Sequence, residues 1–204
     1  MTMSKMLFMA HGSLRFETDT GKTIYLDPAY GEGYDLPADI VLVTHQHHDH
    51  NRTELMPKNP GCLIVTEQQA LADGKYNIFE HSGIRIESVP ADNQNHPRNQ
   101  CVGYILTFDK KSIYCAGDTS TFPEMESFAA RQLDYALLPI DGVYNMDADE
   151  ASKCAKIIKA HYTVPIHTGP DNGSTIRDNY NEENAARFSC PGKLLIRHGE
   201  EITL

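Results

Sequence analysis

Residues 40–50 read Ile-Val-Leu-Val-Thr-His-Gln-His-His-Asp-His, and this stretch decides how the rest of the chain is interpreted. The segment 40–44 is continuously apolar or β-branched, which is typical of a strand that is buried on both faces. Four of the ten histidines of the chain fall within residues 45–50. Imidazole nitrogens and carboxylates are favoured zinc ligands. The stretch therefore predicts a buried strand with a metal site at its carboxyl end.

The spacing within the cluster suggests how the ligands are shared. In an extended segment, residues two apart point the same way, so His45 and His47 can reach one ion. Asp49 and His50 would then reach a second ion. His48 interrupts neither spacing, and we expect it to face solvent as a non-ligand. A run of surface histidines or an affinity tag is the alternative, but the run is internal and follows a buried strand.

Length, composition and charge describe an ordinary globular chain. The 204 residues suit a single domain, 1–204, and 40% of them are hydrophobic and 23% charged. The formal net charge of −10 disfavours a broad basic face, so no nucleic-acid partner is expected. No apolar run reaches the roughly 18 residues of a membrane span, so no membrane partner is expected either.

The cysteines and the start of the chain bear on its compartment. The five cysteines are odd in number and scattered, without a C-x-x-C pair. That usage predicts free, buried thiols in a reducing environment. The first residues show no pattern of a secretory signal. We therefore expect a cytoplasmic protein.

The alternation of apolar and polar residues predicts many short strands and few helices. The first half of the chain is mostly strands, and helices alternate with strands later, which favours two β-sheets packed together with helices outside. The predicted strands are 23–27, 40–44, 62–66, 84–89, 102–108, 112–116, 134–138, 163–166 and 193–198, and the predicted helices are 67–73, 122–132, 147–161 and 181–188.

Several motifs, in this order along the chain, resemble those of the metallo-β-lactamase superfamily. Thr44 to His50 matches its T-H-x-H-x-D-H motif, and Gly117-Asp118-Thr119 matches its G-D-T motif. Weaker matches are His11-Gly12-Ser13, Leu26-Asp27-Pro28, Pro90-Ala91-Asp92-Asn93 with His96-Pro97, and Val164-Pro165-Ile166-His167. Within the superfamily, the chain is similar to small bacterial metal-dependent hydrolases related to the ascorbate-6-phosphate lactonase. The resemblance covers essentially the whole chain. It implies an α/β (α+β) fold, an αββα sandwich of two mixed β-sheets flanked by helices.

The resemblance also implies a ligand set for two metals. His45, His47 and His96 would hold the first metal, Asp49, His50 and His167 the second, and Asp118 would bridge the two. The alternatives are a surface loop histidine at His96, a turn or helix-cap aspartate at Asp118, and a core histidine at His167. His81 could replace His96 but lies on the other side of the strand 84–89.

Other polar residues have more open roles. Asp27 is expected to support the loop beneath the site or a ligating histidine. His11 either faces the site or packs within a hairpin. Tyr144 either lines the substrate pocket or is an exposed loop residue. His161 and His198 are expected to be structural or exposed.

The predicted function is hydrolysis that depends on two divalent metals. Zn²⁺ is the first choice, with Mn²⁺ or Fe²⁺ as alternatives, because nitrogen and oxygen ligands do not select zinc strongly. A metal-bridging hydroxide would attack a small-molecule lactone, ester or phosphate ester, with Asp49 as proton acceptor as well as ligand. His47 stands where diiron oxygen or nitric-oxide reductases of this fold have Glu, which favours hydrolysis over redox chemistry.

Two other functions remain open. One is a phosphodiesterase or nuclease of the same fold, which would need a basic groove or an RNA-holding arm. The other is a metal-binding sensor with little catalysis. A small-molecule substrate is the expected partner, and a homo-oligomer is possible.

Overall fold

The computed structural model describes residues 3–171 and 180–204. Two six-stranded sheets form the molecule. The strands of the first sheet are β1 (Lys5–Ala10), β2 (Ser13–Glu17), β3 (Thr23–Leu26), β4 (Ala38–Leu42), β5 (Lys58–Val65) and β12 (Glu200–Thr203). Their order is β12-β1-β2-β3-β4-β5, with β3, β4 and β5 parallel and the other neighbours antiparallel.

The second sheet mirrors this plan. Its strands are β6 (Ile78–His81), β7 (Ile84–Pro90), β8 (Val102–Phe108), β9 (Lys111–Cys115), β10 (Tyr135–Pro139) and β11 (Tyr162–Ile166). Their order is β11-β10-β9-β8-β7-β6, with β9, β10 and β11 parallel and the rest antiparallel. Each sheet therefore has a block of three parallel strands, whose carboxyl ends can carry a site.

The helices are short. They are α1 (Glu67–Ala70), α2 (Ala148–Ile158) and α3 (Glu182–Arg187), with 3₁₀ segments at Ala72–Gly74 and Pro123–Arg131. Helix α2 begins where the Asp147 side chain accepts a hydrogen bond from the Glu150 amide, and it ends at Lys159 in the left-handed conformation. None of the described helices combines the length and apolar character that crossing a bilayer requires.

The main core lies between the two sheets. Phe8 and Leu42 of the first sheet and Leu106 and Leu137 of the second are among its fully buried members. On the outer face of the second sheet, residues such as Tyr114 and Leu138 pack against α2 and the 3₁₀ segment. The outer face of the first sheet is covered instead by loop residues around Met56.

The expected sandwich of two mixed sheets with flanking helices is confirmed. The predicted strand 40–44 is β4, every residue of which is buried. The predicted strand 193–198 is wrong, because that segment contributes a single bridge from Lys193 to Thr163, and the strand that joins the sheet is β12. The predicted helix 122–132 is present as a 3₁₀ segment. All five cysteines are free, and Cys101, Cys115 and Cys154 are buried.

Two buried tyrosines of the second sheet provide a stability test. The Tyr104 hydroxyl donates a hydrogen bond to the Val43 carbonyl (2.9 Å), whereas the Tyr114 hydroxyl has no partner among the described residues. Tyr104→Phe should lower the free energy of unfolding by about 1 kcal/mol, and Tyr114→Phe should leave it unchanged or raise it by about as much. Urea denaturation of both variants measures this, and equal losses would contradict it.

Candidate metal centre

Polar side chains lie at the carboxyl ends of five parallel strands. Asp27 follows β3, His45 closely follows β4, and Asp118 follows β9. Asp141 follows β10, and His167 follows β11. In the open sheets of α/β proteins, ligands bind outside the carboxyl ends of the strands. The Val102 amide donates to the Thr44 carbonyl (3.0 Å), so the two sheets are also joined at this edge.

Asp27 orients the start of the histidine cluster. Its carboxylate accepts hydrogen bonds from the Thr44 amide (2.7 Å) and the Thr44 hydroxyl (2.8 Å). The same carboxylate lies 3.0 Å from His50 Nδ1, and the Thr44 hydroxyl lies 3.0 Å from His45 Nδ1. Since partners at Nδ1 leave Nε2 available, this arrangement prepares both rings to bind a metal through Nε2. The expected supporting role of Asp27 agrees with these contacts.

The first candidate ligand group consists of His45, His47 and His96. One nitrogen of each lies within 4.8 Å of the others. His96 Nε2 is 3.2 Å from His47 Nδ1, and the other nitrogen of His96 is 3.0 Å from Asn93 Oδ1. His96 is 3% exposed, so it is not a surface loop histidine. His81 lies on β6, outside every candidate ligand group of the described residues.

The second candidate ligand group consists of Asp49, His50, His167 and also His11. His11 is fully buried, its Nε2 lies 3.2 Å from Asp49 Oδ2, and its ring centroid is 3.6 Å from that of His167. The sequence left the orientation of His11 open, and the structure points it into the site.

Asp118 lies between the two groups. Its Oδ1 is 3.4 Å from His50 Nε2, and its Oδ2 is 3.4 Å from His96 Nε2 and 3.6 Å from His167 Nε2. It also forms a third candidate group with His45 and His50. All seven predicted ligands therefore come together, with Asp118 in reach of both sets.

The donor atoms of these residues fit a metal. The Nε2 atoms of His45, His50 and His167 are buried and have no hydrogen-bond partner among the described residues. Leaving a buried polar atom without a partner costs about 1–3 kcal/mol. Imidazole and carboxylate ligands around a shared centre suit divalent transition metals and would satisfy these atoms.

Two glycines allow the close packing of the site. Gly117 has φ of +62°, and a Cβ there would lie 2.9 Å from Thr44 Cβ. A Cβ on Gly12 would lie 2.9 Å from the His50 ring. Both distances are shorter than side-chain contacts permit, so glycine is required for His50 and Asp118 to approach their neighbours.

Burial and the charges of neighbouring groups shift the pKa values of the cluster in different directions. Burial lowers the pKa of His45 to about 2 and that of His11 to about 4, with a neighbouring histidine adding to each effect. Burial also acts on His50, but the Asp118 and Asp27 carboxylates outweigh it and raise its pKa to about 10. The pKa of Asp118 is well below its usual range, because the surrounding histidines outweigh its burial. These shifts favour the ionised form of Asp118, whereas burial raises the pKa of Asp27.

A cavity of about 240 Å³ lies above the centre and is lined by Asp49, Asp118, His167 and Tyr144. Tyr144 is 48% exposed, so it is a partly exposed loop residue that also lines the pocket. His48 faces solvent, as expected, and lies 2.8 Å from Asp171 Oδ2. Asp171 also lines this cavity and accepts a hydrogen bond from the Tyr30 hydroxyl (2.9 Å), a role that the sequence did not suggest.

Asp141 is the main residue that the sequence analysis missed. Its side chain is fully buried, and Oδ2 lies 3.1 Å from His167 Nδ1. Oδ1 accepts hydrogen bonds from the Val143 and Tyr144 amides (2.8 and 2.7 Å), and Oδ2 accepts one from the Asn145 side chain (2.7 Å). One carboxylate thus orients a candidate ligand and the loop that carries Tyr144. Its place two residues after the buried strand β10 was the available signal.

The chain matches a family model described as the beta-lactamase superfamily domain over residues 5–167. The UPF0173 metal-dependent hydrolase of Ligilactobacillus salivarius is 33% identical over 180 residues, which cover 77% of this chain and 82% of that protein. A homologue with the same description from Thermococcus onnurineus is 32% identical, over 81% of this chain and 84% of that protein. The chain belongs to the metallo-β-lactamase superfamily. Its relatives are metal-dependent hydrolases by name, which supports an enzyme that uses a divalent metal.

Solved structures agree with this fold. A candidate metal-dependent hydrolase from Parabacteroides distasonis superposes with a TM-score of 0.71 at 31% identity, covering 95% of this chain and 92% of that one. Igni18, a metallo hydrolase from Ignicoccus hospitalis, superposes with a TM-score of 0.73 at 23% identity, covering 100% and 99%. The second likeness concerns the fold alone. The narrower similarity to the ascorbate-6-phosphate lactonase group stays a prediction.

Asp141→Asn should weaken metal binding. An amide nitrogen cannot accept a hydrogen bond, so Asn cannot replace all four contacts of Asp141. An N–H group facing His167 Nδ1 would favour the tautomer that carries its proton on Nε2, which then cannot bind a metal. We expect zinc affinity to fall by about 10- to 100-fold, measured by competition with a chromophoric chelator. Asn145→Ala is the control, because it removes the contacts of Asn145 with Asp141 and Asn93 and leaves the contact between Asp141 and His167 in place. Equal losses in both variants would argue against this role.

Proposed function

We propose that this protein is a binuclear metal-dependent hydrolase that cleaves a small-molecule lactone, ester or phosphate ester. The position of Asp118 carries the proposal. Its two oxygens lie 3.4 Å from nitrogens of opposite ligand groups, His50 and His96. A single-metal site would not need a buried carboxylate shared between two groups of histidines.

The ligand sets follow the two groups. His45, His47 and His96 would hold the first ion, Asp49, His50 and His167 the second, with Asp118 between them. When bound, two divalent ions would lower the pKa of a shared water, so that hydroxide is available near neutral pH, and would polarise the substrate's carbonyl or phosphoryl oxygen. Zn²⁺ is our first choice, with Mn²⁺ or Fe²⁺ compatible with the same donors.

Asp49 is the proposed proton acceptor. Its carboxylate lines the cavity above the centre and is held by His11 at 3.2 Å. Burial acts against its ionised form, but the hydrogen bond with His11 and the charge of His50 outweigh burial and lower the pKa of Asp49. An ionised carboxylate at the edge of the pocket can take a proton from the attacking water and pass it to the leaving group.

The shape of the site favours small substrates over nucleic acid. A cavity of about 240 Å³ suits a small molecule, and the net charge of −10 opposes binding of a polyphosphate chain. The convergence of seven mostly buried candidate donors favours catalysis over a purely structural or sensing role. We also propose a cytoplasmic location, which rests on the cysteine usage.

Metal analysis tests the ligand assignment. His47→Ala and Asp118→Ala should each lose bound zinc, because each removes a donor from a candidate group. His48→Ala is the matched control, since this neighbouring histidine belongs to none of the candidate groups of the described residues, and it should keep the wild-type content. Plasma emission spectroscopy of the purified proteins gives the metal-to-protein ratio. Unchanged zinc in the first two variants would overturn the assignment.

Turnover assays test the reaction. Zinc- and manganese-loaded protein should hydrolyse members of a lactone and ester panel, and His47→Ala should lose at least 100-fold in kcat/KM. Faster hydrolysis of a bis-phosphodiester reporter than of any lactone or ester would favour the phosphodiesterase function. Full metal occupancy without turnover of any compound would favour a sensor.

A further inference from the structure

A second cavity, of about 400 Å³, opens beside the first ligand group. It is lined by His45, His47 and His96, and it shares His47, Asn95 and His96 with the smaller cavity above the centre. A molecule that fills it therefore contacts the candidate metal site. The cavity is also larger than the space directly above Asp49 and Asp118, so it has room for the part of a substrate that does not react.

Glu67 is the unusual group in this cavity. It is 92% buried, being 8% exposed, although a carboxylate is seldom buried without a partner for both oxygens. Its Oε2 accepts a hydrogen bond from Gln46 Nε2 (2.7 Å). Its Oε1 has no hydrogen-bond partner among the described residues, and Glu67 lines the cavity. The second oxygen is thus available to accept a hydrogen bond from a ligand in this cavity.

Gln46 connects Glu67 to the metal-binding motif. It stands between His45 and His47 in the sequence. Its side-chain oxygen accepts a hydrogen bond from Asn51 Nδ2 (3.3 Å). The carboxylate of Glu67 is therefore held in place by a residue of the motif itself. A group bound to Glu67 would be positioned relative to the candidate ligands.

Apart from Glu67 and the three histidines, the lining is uncharged, and it includes the apolar residues Leu71 and Pro97. Carboxamide residues predominate, namely Gln46, Gln68, Asn95, Asn99 and Gln100. None of the described residues that line this cavity is Lys or Arg. Carboxamides both donate and accept hydrogen bonds, as hydroxyl groups do, whereas phosphate is usually bound by Arg, Lys or clustered amides.

We propose that this cavity is a substrate subsite that binds the uncharged, hydroxyl-bearing part of a lactone or ester, with Glu67 accepting a hydrogen bond from a substrate hydroxyl. The proposal rests on the proposed hydrolase function and narrows it from lactones, esters and phosphate esters to hydroxylated neutral ones. A phosphate group placed beside Glu67 would meet its carboxylate with no Lys or Arg among the described lining residues to balance the charge. An ammonium-bearing substrate is the alternative that the test separates.

The test compares zinc-loaded wild type with Glu67→Ala and Glu67→Gln on matched lactones. The probes are δ-gluconolactone, its 6-phosphate, δ-valerolactone, which lacks hydroxyls, and α-amino-γ-butyrolactone. Wild type should prefer δ-gluconolactone over δ-valerolactone by at least 10-fold in kcat/KM. Glu67→Ala should reduce kcat/KM for δ-gluconolactone on the order of 10- to 100-fold, the range for a hydrogen bond to a charged group, and leave δ-valerolactone unchanged.

Glu67→Gln distinguishes hydroxyl from ammonium recognition. The amide oxygen can accept from a hydroxyl once the Gln46 carboxamide turns its own oxygen toward the new amide nitrogen, so the loss for δ-gluconolactone should be smaller than in Glu67→Ala. A preference of wild type for the amino-lactone that Gln abolishes would overturn the proposal in favour of an ammonium subsite. A preference for the 6-phosphate would overturn it as well. Glu80→Gln is the control, because Glu80 is an exposed residue of β6 outside this cavity.

A binding measurement separates this proposal from the proposed function. NMR titration with 1,5-anhydro-D-glucitol, a neutral polyol ring that cannot be hydrolysed, should show binding that weakens at least 10-fold in Glu67→Ala. If no lactone is hydrolysed but this difference is seen, the hydrolase function fails and the subsite stands. If lactones are hydrolysed and Glu67→Ala affects all of them equally, or none, the subsite is refuted and the function stands. Zinc content and thermal unfolding of each variant identify any loss of folding.

Discussion

The rest of the site depends on the contacts that the Asp27 carboxylate makes with Thr44 and His50. It holds the Thr44 amide and hydroxyl at 2.7 and 2.8 Å and lies 3.0 Å from His50 Nδ1. Through Thr44 it also reaches His45, so one group at the end of β3 fixes the exit of β4 and two candidate ligands. Asp27 itself has φ of +44°, a strained conformation for a residue other than glycine. Its hydrogen bonds offset that strain, which explains why an aspartate occupies this turn.

The second sheet has the same arrangement of a buried aspartate beside the Nδ1 atom of a histidine. Asp141 follows β10 and lies 3.1 Å from His167 Nδ1, as Asp27 lies near His50. His167 also has a positive φ, of 46°. Each sheet therefore supplies a buried aspartate that orients a histidine, and Asp118 lies between the two histidines. Both halves of the candidate centre are thus tied to strand ends at the edge where the sheets meet.

The sequence pointed to the candidate ligands, which the structure brings together, more readily than to most of the residues that support them. The cluster at His45 to His50 is dense, and the motif order supplied His96, Asp118 and His167. Asp141 and Glu67 could not be found in this way, because each acts through a partner distant in sequence, and an isolated acid after a strand or at a helix start looks like a turn or cap residue. The misplaced strand at 193–198 has a related cause. Beyond the bridge at Lys193 the segment joins no strand, and its apolar residues such as Ile196 pack against the core, while the exposed segment Glu200–Thr203 pairs with β1.

Proton and metal compete for this site. The carboxylates of Asp118 and Asp27 raise the pKa of His50 to about 10, which favours the doubly protonated, cationic ring at neutral pH. His45 has the opposite tendency, because burial lowers its pKa to about 2 and favours the neutral ring. Its Nε2, which has no hydrogen-bond partner among the described residues, can then donate an electron pair to a metal. A metal must displace the proton of His50 but meets no such barrier at His45. His45 can thus bind a metal without losing a proton, whereas His50 must lose one. Metal binding to His50 is therefore coupled to proton release.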